Sequence, residues 1–187
     1  RVLFRSHTTT FDKEVAASLT KKVRKFGSYI KGHYTDGVVN PEDYPLCGIG
    51  AANVGPEFTM SEYDALIELE QMEKGLYEKD QIAILSNMKH TLWNLVTVSN
   101  RWKKWLQPDE MNIPFENIST GRKEWLIKTG CRYIWQHPEA LVARYRLYEN
   151  LNRNGIDAEE VVLSRIERDM DKYFYAFNLV NLNNYLS

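Results

Sequence analysis

The sequence predicts an α/β protein in which helices greatly outnumber strands. Three observations support this class: a helical pattern over residues 10–26, a short buried strand over residues 47–54, and helical spacing through most of the chain that follows. The strand passes directly into a helix through Gly55-Pro56. A strand followed at once by a helix is typical of α/β folds.

Composition limits the classes of partner and the compartment. The 187 residues suffice for one domain of ordinary size, and 24 Lys and Arg residues nearly balance 25 Asp and Glu residues. This balance gives no electrostatic support for a nucleic-acid partner or an anionic membrane. The longest uncharged stretches are well short of the roughly 20 residues of a membrane span. Cys47 and Cys131 are too few for a disulfide framework and are expected to be buried free thiols, so we expect a cytoplasmic protein.

The first six residues, Arg-Val-Leu-Phe-Arg-Ser, do not have the organisation of a signal peptide. They match the translation of a common sequencing-adapter end, so we interpret residues 1–6 as a non-native leader and expect the natural sequence to begin near His7. An ordinary domain fragment with a short apolar leader is the alternative interpretation.

Residues 10–26 are predicted to form an amphipathic helix. Thr10 is the expected N-cap, and Gly27 is placed to end the helix. The predicted apolar face consists of Phe11, Val15, Leu19, Val23 and Phe26.

Residues 28–46 have no helical period and contain several turn signals, among them Asp36-Gly37. An irregular stretch of this length suggests a lid, a binding loop or an insertion. His33, Tyr34 and Asp36 are candidates for ligand contact within it, although turn chemistry alone would account for Asp36.

The junction at Gly55-Pro56 follows the predicted strand 47–54. We expect Thr59 and Glu62 to form a capping box, with a helix from about residue 60 to 78. A helix that begins after a strand presents free backbone amides, which bind phosphate well. The junction is therefore either an anion site or only a turn of the chain.

The remaining chain is predicted to be helical. Helical patterns cover residues 80–106, with a break near Asn100, and residues 120–136, with Gly130 as a possible bend. A further helix is expected from Pro138 to about Asn152, and Asp157 is the expected cap of the last one. The predicted apolar face of that last helix consists of Val162, Ile166, Met170, Tyr173 and Phe177. The five tryptophans recur at helical spacing without a basic stripe, which indicates core or interface positions.

The chain carries no P-loop, GxGxxG, HExxH, GxSxG or CxxC motif. His7 is a candidate metal ligand or general base, because a histidine at the end of a strand can serve either purpose. An ordinary polar histidine is the alternative. We expect His90 to pack within a helix and His137 to bond locally at a helix start.

Several segments match, in order and spacing, those of a known family. They are His7-Thr8-Thr9, "NVGPEFTMSEYDALIELE" at 53–70, "RWKKWL" at 101–106, and an Arg-Tyr-x-Trp-x-x-Pro pattern formed by Arg132, Tyr133, Trp135 and Pro138. Over nearly all of residues 7–180 the sequence resembles the C-terminal part of the non-catalytic subunit of class II D-tagatose-1,6-bisphosphate aldolase, formerly called tagatose-6-phosphate kinase.

The resemblance implies the C-terminal portion of a TIM (β/α)8 barrel followed by an all-helical extension. Residues 7–78 would hold the last βα units, with residues 28–46 as a loop insertion and 47–54 as strand 8, and residues 79–187 would be the helical region. His7 would lie at the end of strand 7 as a metal ligand. Because the phosphate site of such barrels commonly follows strands 7 and 8, a sugar phosphate is expected at Asn53, Gly55 and Pro56.

The chain departs from the family pattern at two places. The stretch 28–46 is longer than the usual connection, and Asn53 stands where many relatives have a lysine. Both differences bear on which ligand is bound.

The resemblance implies a subunit that stabilises or activates a catalytic class II aldolase in galactitol- and tagatose-type carbohydrate metabolism. That reaction uses a divalent metal, for which zinc or manganese is expected, and no residue of this chain is predicted to be catalytic. One alternative is a metal-dependent ketose or ketose-phosphate 4-epimerase on the same barrel. The other is a helical interaction module without catalysis.

Overall fold

The computed structural model describes residues 11–186. The helices are α1 Lys13–Arg24, α2 Asp43–Leu46, α3 Pro56–Tyr77, α4 Met88–Ser99, α5 Thr120–Gly130, α6 Pro138–Asn152, α7 Ala158–Ala176 and α8 Asn183–Leu186. The strands are β1 Lys31–Gly32 and β2 Ala51–Ala52, and short 3-10 helices span Arg101–Trp105, Pro108–Glu110, Phe115–Asn117 and Cys131–Tyr133. The prediction of a mainly helical chain with few strands is confirmed.

The chain divides into two compact units. The first unit contains the described residues up to Phe58 together with those from Glu167 onward, and the second unit is Thr59–Ile166. The boundary predicted between residues 78 and 79 lies within the second unit.

The first unit contains a small parallel sheet. In it, Lys31 of β1 lies opposite Ala51 of β2, and Gly32 lies opposite Ala52. The strand predicted over 47–54 is thus reduced to two residues, because Gly48 has a φ of +82° that an extended strand does not adopt. Within residues 11–186 this pair is the whole sheet, so the described chain does not by itself show a portion of a barrel.

The start of α1 differs from the prediction, and its end agrees. Asp12 is the N-cap, and its Oδ1 accepts a hydrogen bond from the Val15 backbone N–H at 2.9 Å. The predicted cap, Thr10, lies outside the described residues. Gly27 has a φ of +68° and its N–H donates to the Arg24 carbonyl at 3.0 Å, which is the helix end that the sequence predicts.

The predicted apolar face of α1 is only partly buried, since Phe11 packs and Val15 and Leu19 do not. Val15 and Leu19 remain 53% and 47% exposed, whereas Phe11 and Ala16 pack against the core of the first unit and Thr20 is buried. The sequence pattern identifies an amphipathic helix correctly. However, the part of its apolar stripe at Val15 and Leu19 remains about half exposed.

The core of the first unit is aromatic. Tyr44 stacks on Phe11 with ring centroids 4.2 Å apart, and Phe58 meets Tyr173 edge to face at 6.0 Å. The buried members are Val38, Tyr44, Ile49 and Tyr173, surrounded by Phe11, Ala16, Ile30, Val54, Phe58 and Phe177. Tyr173 belongs to the helical face that the sequence predicts for α7.

Two helix starts in the chain differ from the sequence pattern. α3 begins at Pro56, three residues before the predicted cap Thr59, and ends at Tyr77 as expected. α4 begins only at Met88 because the chain before it turns, with positive φ values at Asp80 and Asn87. The pattern over 80–106 therefore combines turns, one helix and a 3-10 helix.

The later helices follow the predictions more closely. Asn100, with a φ of +53°, ends α4 at the predicted break. Gly130 is the last residue of α5 rather than an internal bend, and α6 spans the predicted residues. Asp157 caps the start of α7, since its Oδ1 accepts from the Glu160 N–H at 3.1 Å.

The core of the second unit is formed mainly by leucines with a few aromatic side chains. Its fully buried members include Tyr63, Leu66, Leu69, Leu92, Val96, Leu126, Leu147 and Leu151. Trp102 and Trp105 are buried, as expected for core tryptophans. Cys131 is a buried free thiol, whereas Cys47 is free but partly exposed. None of the helices that the structure describes is long and apolar enough to cross a membrane.

Candidate functional site

The junction between β2 and α3 brings together the three residues predicted to bind substrate. Asn53 directly follows β2, and its backbone bonds to both sides: its N–H donates to the Gly32 carbonyl at 3.0 Å, and its carbonyl accepts from the Thr35 N–H at 3.1 Å. The Thr35 hydroxyl donates to the same carbonyl at 2.5 Å. Asn53 itself is exposed, Gly55 is partly buried, and Pro56 is the buried first residue of α3.

The first amides of α3 are bonded to a buried carboxylate from the preceding loop. Asp36 Oδ1 accepts from the Gly55 N–H at 2.8 Å and from the Glu57 N–H at 2.9 Å. Asp36 is buried, with only 1% of its surface exposed to solvent. This distant cap explains why α3 begins at Pro56 rather than at Thr59, because the helix does not depend on a cap within its own sequence.

Glu57, in the first turn of α3, bonds back to the loop that contains Asp36. Its Oε2 accepts from the Gly37 N–H at 2.7 Å and also contacts the Tyr173 hydroxyl, while Lys172 Nζ lies 3.0 Å from Oε1. The Tyr173 hydroxyl also lies 2.9 Å from the Thr35 carbonyl oxygen. We call the group Thr35, Asp36, Glu57, Lys172 and Tyr173 the junction cluster.

Burial shapes the proton affinities in the junction cluster. Burial raises the pKa of Asp36 above its ordinary value of 3.8, an effect that the amides of Glu57 and Gly55 oppose and the Glu57 carboxylate reinforces. Burial also raises the pKa of Tyr173, with further contributions from its hydrogen bond to Glu57 and from the negative charge of Glu57. The tyrosine therefore remains a hydrogen-bond donor, and Asp36 holds its proton more tightly than an ordinary aspartate does.

The carboxylates of the junction cluster are bonded to groups of the chain itself. Asp36 accepts from the Gly55 and Glu57 amides, which are among those that a phosphate at this junction would use. The assignment of Asn53, Gly55 and Pro56 to a substrate stays a prediction. The junction cluster itself fixes the end of β2 and the start of α3.

The predicted metal ligand, His7, lies outside the described residues. His33 lies in the loop before the junction, with its ring centroid 5.9 Å from that of Tyr34. His137 accepts from the Glu139 N–H at 3.3 Å, which matches the local role predicted for it. In the part of the chain that the structure describes, no group of three or more His, Cys, Asp and Glu side chains is arranged to hold a metal ion.

Sequence reasoning does not find the contribution of α7 to the junction cluster. Lys172 and Tyr173 are more than a hundred residues from Glu57 along the chain, and the only signal is the place of Tyr173 on the predicted apolar face. Asp36 was a candidate for ligand contact, with turn formation as the simpler interpretation. The structure gives it a third role, as the cap of a helix that begins twenty residues later.

Comparison with known families identifies the class of protein. Residues 3–176 match the model of the family described as D-tagatose-1,6-bisphosphate aldolase subunit GatZ/KbaZ-like. The chain belongs to this family, which confirms the resemblance seen in the sequence. The match includes residues 3–6 of the segment interpreted above as a leader. No curated protein gives a significant match.

A solved structure is similar in fold. It is described as a probable tagatose 6 phosphate kinase from Sinorhizobium meliloti 1021, and it superposes with a TM-score of 0.71 at 18% sequence identity. The match covers 94% of this chain and 50% of the other, so this chain spans about half the length of the solved structure that it matches.

Proposed function

We propose that this chain is part of a non-catalytic subunit that stabilises or activates a class II D-tagatose-1,6-bisphosphate aldolase in the cytoplasm. The observation that carries the proposal is the family match over residues 3–176, since the family is described as a subunit of that aldolase. The catalytic partner, the sugar phosphate and the divalent metal of the reaction belong to the proposal as well.

The proposal includes a TIM (β/α)8 barrel of which this chain forms the C-terminal portion, followed by a helical extension. A parallel pair, β1 and β2, preceded by α1 and followed by α3, has the element order of barrel units. The half-exposed apolar stripe of α1 at Val15 and Leu19 is the kind of surface that a neighbouring barrel helix covers.

The junction cluster has a supporting role in this proposal. It holds the loop 33–37 against the start of α3, at the strand end where a barrel places its ligand. A rigid strand end positions neighbouring groups without taking part in chemistry. His7 remains the proposed metal-binding residue. Asn53, Gly55 and Pro56 remain the residues proposed to contact the sugar phosphate.

The test is reconstitution with the partner. The intact protein is mixed with a purified class II tagatose-bisphosphate aldolase, and complex formation, aldolase activity and the half-life of that activity are measured. We expect a complex, with higher or longer-lasting activity than in the presence of an unrelated protein at the same concentration. An aldolase whose activity and lifetime are unchanged would contradict the proposal.

The same preparation separates the proposal from independent catalysis. The protein alone is assayed on fructose and tagatose, free and phosphorylated, with added Mn²⁺ or Zn²⁺. We expect no turnover. Turnover that is abolished by His7→Ala would instead establish an epimerase.

A further inference from the structure

Two sequence motifs that are 30 residues apart along the chain meet at one place on the second unit. "RWKKWL" forms the 3-10 helix Arg101–Trp105, and Arg132-Tyr133 belongs to the 3-10 helix Cys131–Tyr133. A 3-10 helix has three residues per turn, so residues three apart share a side. Trp102 and Trp105 therefore share one side of this 3-10 helix, and both are buried. Arg101 and Lys104 share another side, and both are exposed.

Three cationic side chains surround a single aromatic ring. Lys104 Nζ lies 3.8 Å from the centroid of the Tyr133 ring, Arg132 Cζ lies at 5.4 Å and Arg101 Cζ lies at 5.7 Å. Lys104 Nζ also contacts the Tyr133 hydroxyl. The ring is 37% exposed, and the three cationic residues are exposed as well, so solvent reaches all of them. We call Arg101, Lys104, Arg132 and Tyr133 the basic cluster.

The positive charge of the basic cluster is not balanced by a carboxylate within residues 11–186. Among the described residues, no carboxylate lies within 4.0 Å of the charged nitrogens of Arg101, Lys104 or Arg132. Other cations of the second unit are paired: Arg122 with Glu110 at 2.8 Å and Arg144 with Glu62 at 2.6 Å. Like charges held close together repel each other, and contact with a ring face offsets only part of this repulsion.

We propose that the basic cluster is a binding site for a phosphate group, either as inorganic phosphate or as the phosphate of a sugar phosphate. Two guanidinium groups can each donate two parallel hydrogen bonds to a phosphate, and the Lys104 ammonium adds a point charge. A dianion matches three cations that lie within 6 Å of one ring centroid better than a single carboxylate does. The buried tryptophans hold the backbone beneath the cluster, which limits the ordering that binding requires.

The test is ³¹P NMR on the intact protein with inorganic phosphate as the probe. The transverse relaxation rate of phosphate rises when it exchanges with a protein site, so weak binding is measurable. The test variant is Arg101→Gln with Arg132→Gln. The matched control is Lys79→Gln with Arg146→Gln, which removes two exposed charges from the same unit outside the basic cluster. Circular dichroism verifies that both variants fold.

We expect the relaxation enhancement to fall at least about fivefold in the test variant and to persist in the control. A Tyr133→Phe variant keeps the ring and should retain most of the enhancement. Equal enhancement in the two double variants, or no enhancement with the wild-type protein, would overturn the proposal. Titrations with fructose 6-phosphate and with fructose then distinguish a sugar phosphate from inorganic phosphate as the ligand. Tighter binding of fructose 6-phosphate than of phosphate indicates a sugar-phosphate site. Equal binding of the two indicates a phosphate site.

Discussion

Removal of the Asp36 carboxylate should destabilise the protein more than removal of an ordinary helix cap. Asp36→Ala leaves the Gly55 and Glu57 amides without their acceptor, in a place where the replaced residue was 1% exposed. A buried donor left unsatisfied costs about 1–3 kcal/mol. The substitution also removes the cost of burying the carboxylate, the same cost that raises its pKa, and this gain offsets part of the loss. We expect a net loss of about 2–4 kcal/mol in the free energy of unfolding, with the unfilled volume included.

The control for this prediction is a second aspartate cap, at the start of α1. Asp12 caps α1 at an exposed position with a single bond, to the Val15 amide. Its replacement by alanine should cost about 1 kcal/mol. Urea denaturation of the intact proteins, followed by circular dichroism, measures both free energies. If Asp36→Ala costs no more than Asp12→Ala, the structural role assigned to the distant cap is wrong.

Replacement of Asp36 by asparagine separates the effect of its hydrogen bonds from the effect of its charge. The amide oxygen of Asn can still accept both hydrogen bonds, so we expect a loss of no more than about 1 kcal/mol at neutral pH. The folded state holds the Asp36 proton more tightly than the unfolded state. As the pH rises above 3.8, the unfolded chain therefore loses this proton first, and the wild type loses stability relative to Asp36→Asn up to the pKa in the folded state. Unfolding free energies measured from pH 3.5 upward should show this decline, and a wild type that gains relative stability over that window would contradict the raised pKa.

Two further matched pairs test the packing. Tyr173→Phe removes a buried hydroxyl that contacts Glu57, and should lower the free energy of unfolding by about 1–3 kcal/mol, whereas Tyr175→Phe, at a residue 67% exposed on the same helix, should change it by less than about 0.5 kcal/mol. Gly130→Ala places a methyl group 2.5 Å from Val96 Cγ1 and should cost about 1–3 kcal/mol, whereas Gly121→Ala meets no atom within 4 Å and should be neutral or stabilising. Thermal unfolding of the four variants, with a shift of about 2–4 °C per kcal/mol, verifies both pairs, and equal shifts within a pair would contradict the packing described.

The parts of the fold that sequence reasoning predicts are those with local causes. The α6 helix starts at Pro138 and α7 is capped by Asp157, because first-turn proline and aspartate caps act within a few residues. The start of α3 was misplaced at Thr59, since its actual cap is Asp36, on a distant loop. No local pattern reports such a partner.

The face of α1 shows a second limit. Periodicity identifies the apolar stripe through Val15, Leu19 and Phe26, but it does not say which neighbour covers that stripe. Among the described residues, Phe11 of this stripe and Ala16 beside it pack against the core. The sequence thus predicts that a helix is amphipathic, whereas the extent to which its apolar face is buried depends on the elements that surround it.

The start of α3 and the basic cluster are the two candidate anion sites of this chain. They differ in whether a carboxylate of the chain already occupies their hydrogen-bond donors. At the start of α3, the Gly55 and Glu57 amides already hold Asp36, which is part of the same folded chain and needs no association. A free phosphate would have to displace that carboxylate and pay the entropy of binding, so it competes poorly at ordinary metabolite concentrations. In the described part of the chain, no carboxylate is paired with Arg101 or Arg132 of the basic cluster. Phosphate binding to this chain should therefore depend more on the exposed arginines than on the helix amides, and any sugar phosphate at the junction must rely on contacts outside the capped turn, such as the exposed Asn53.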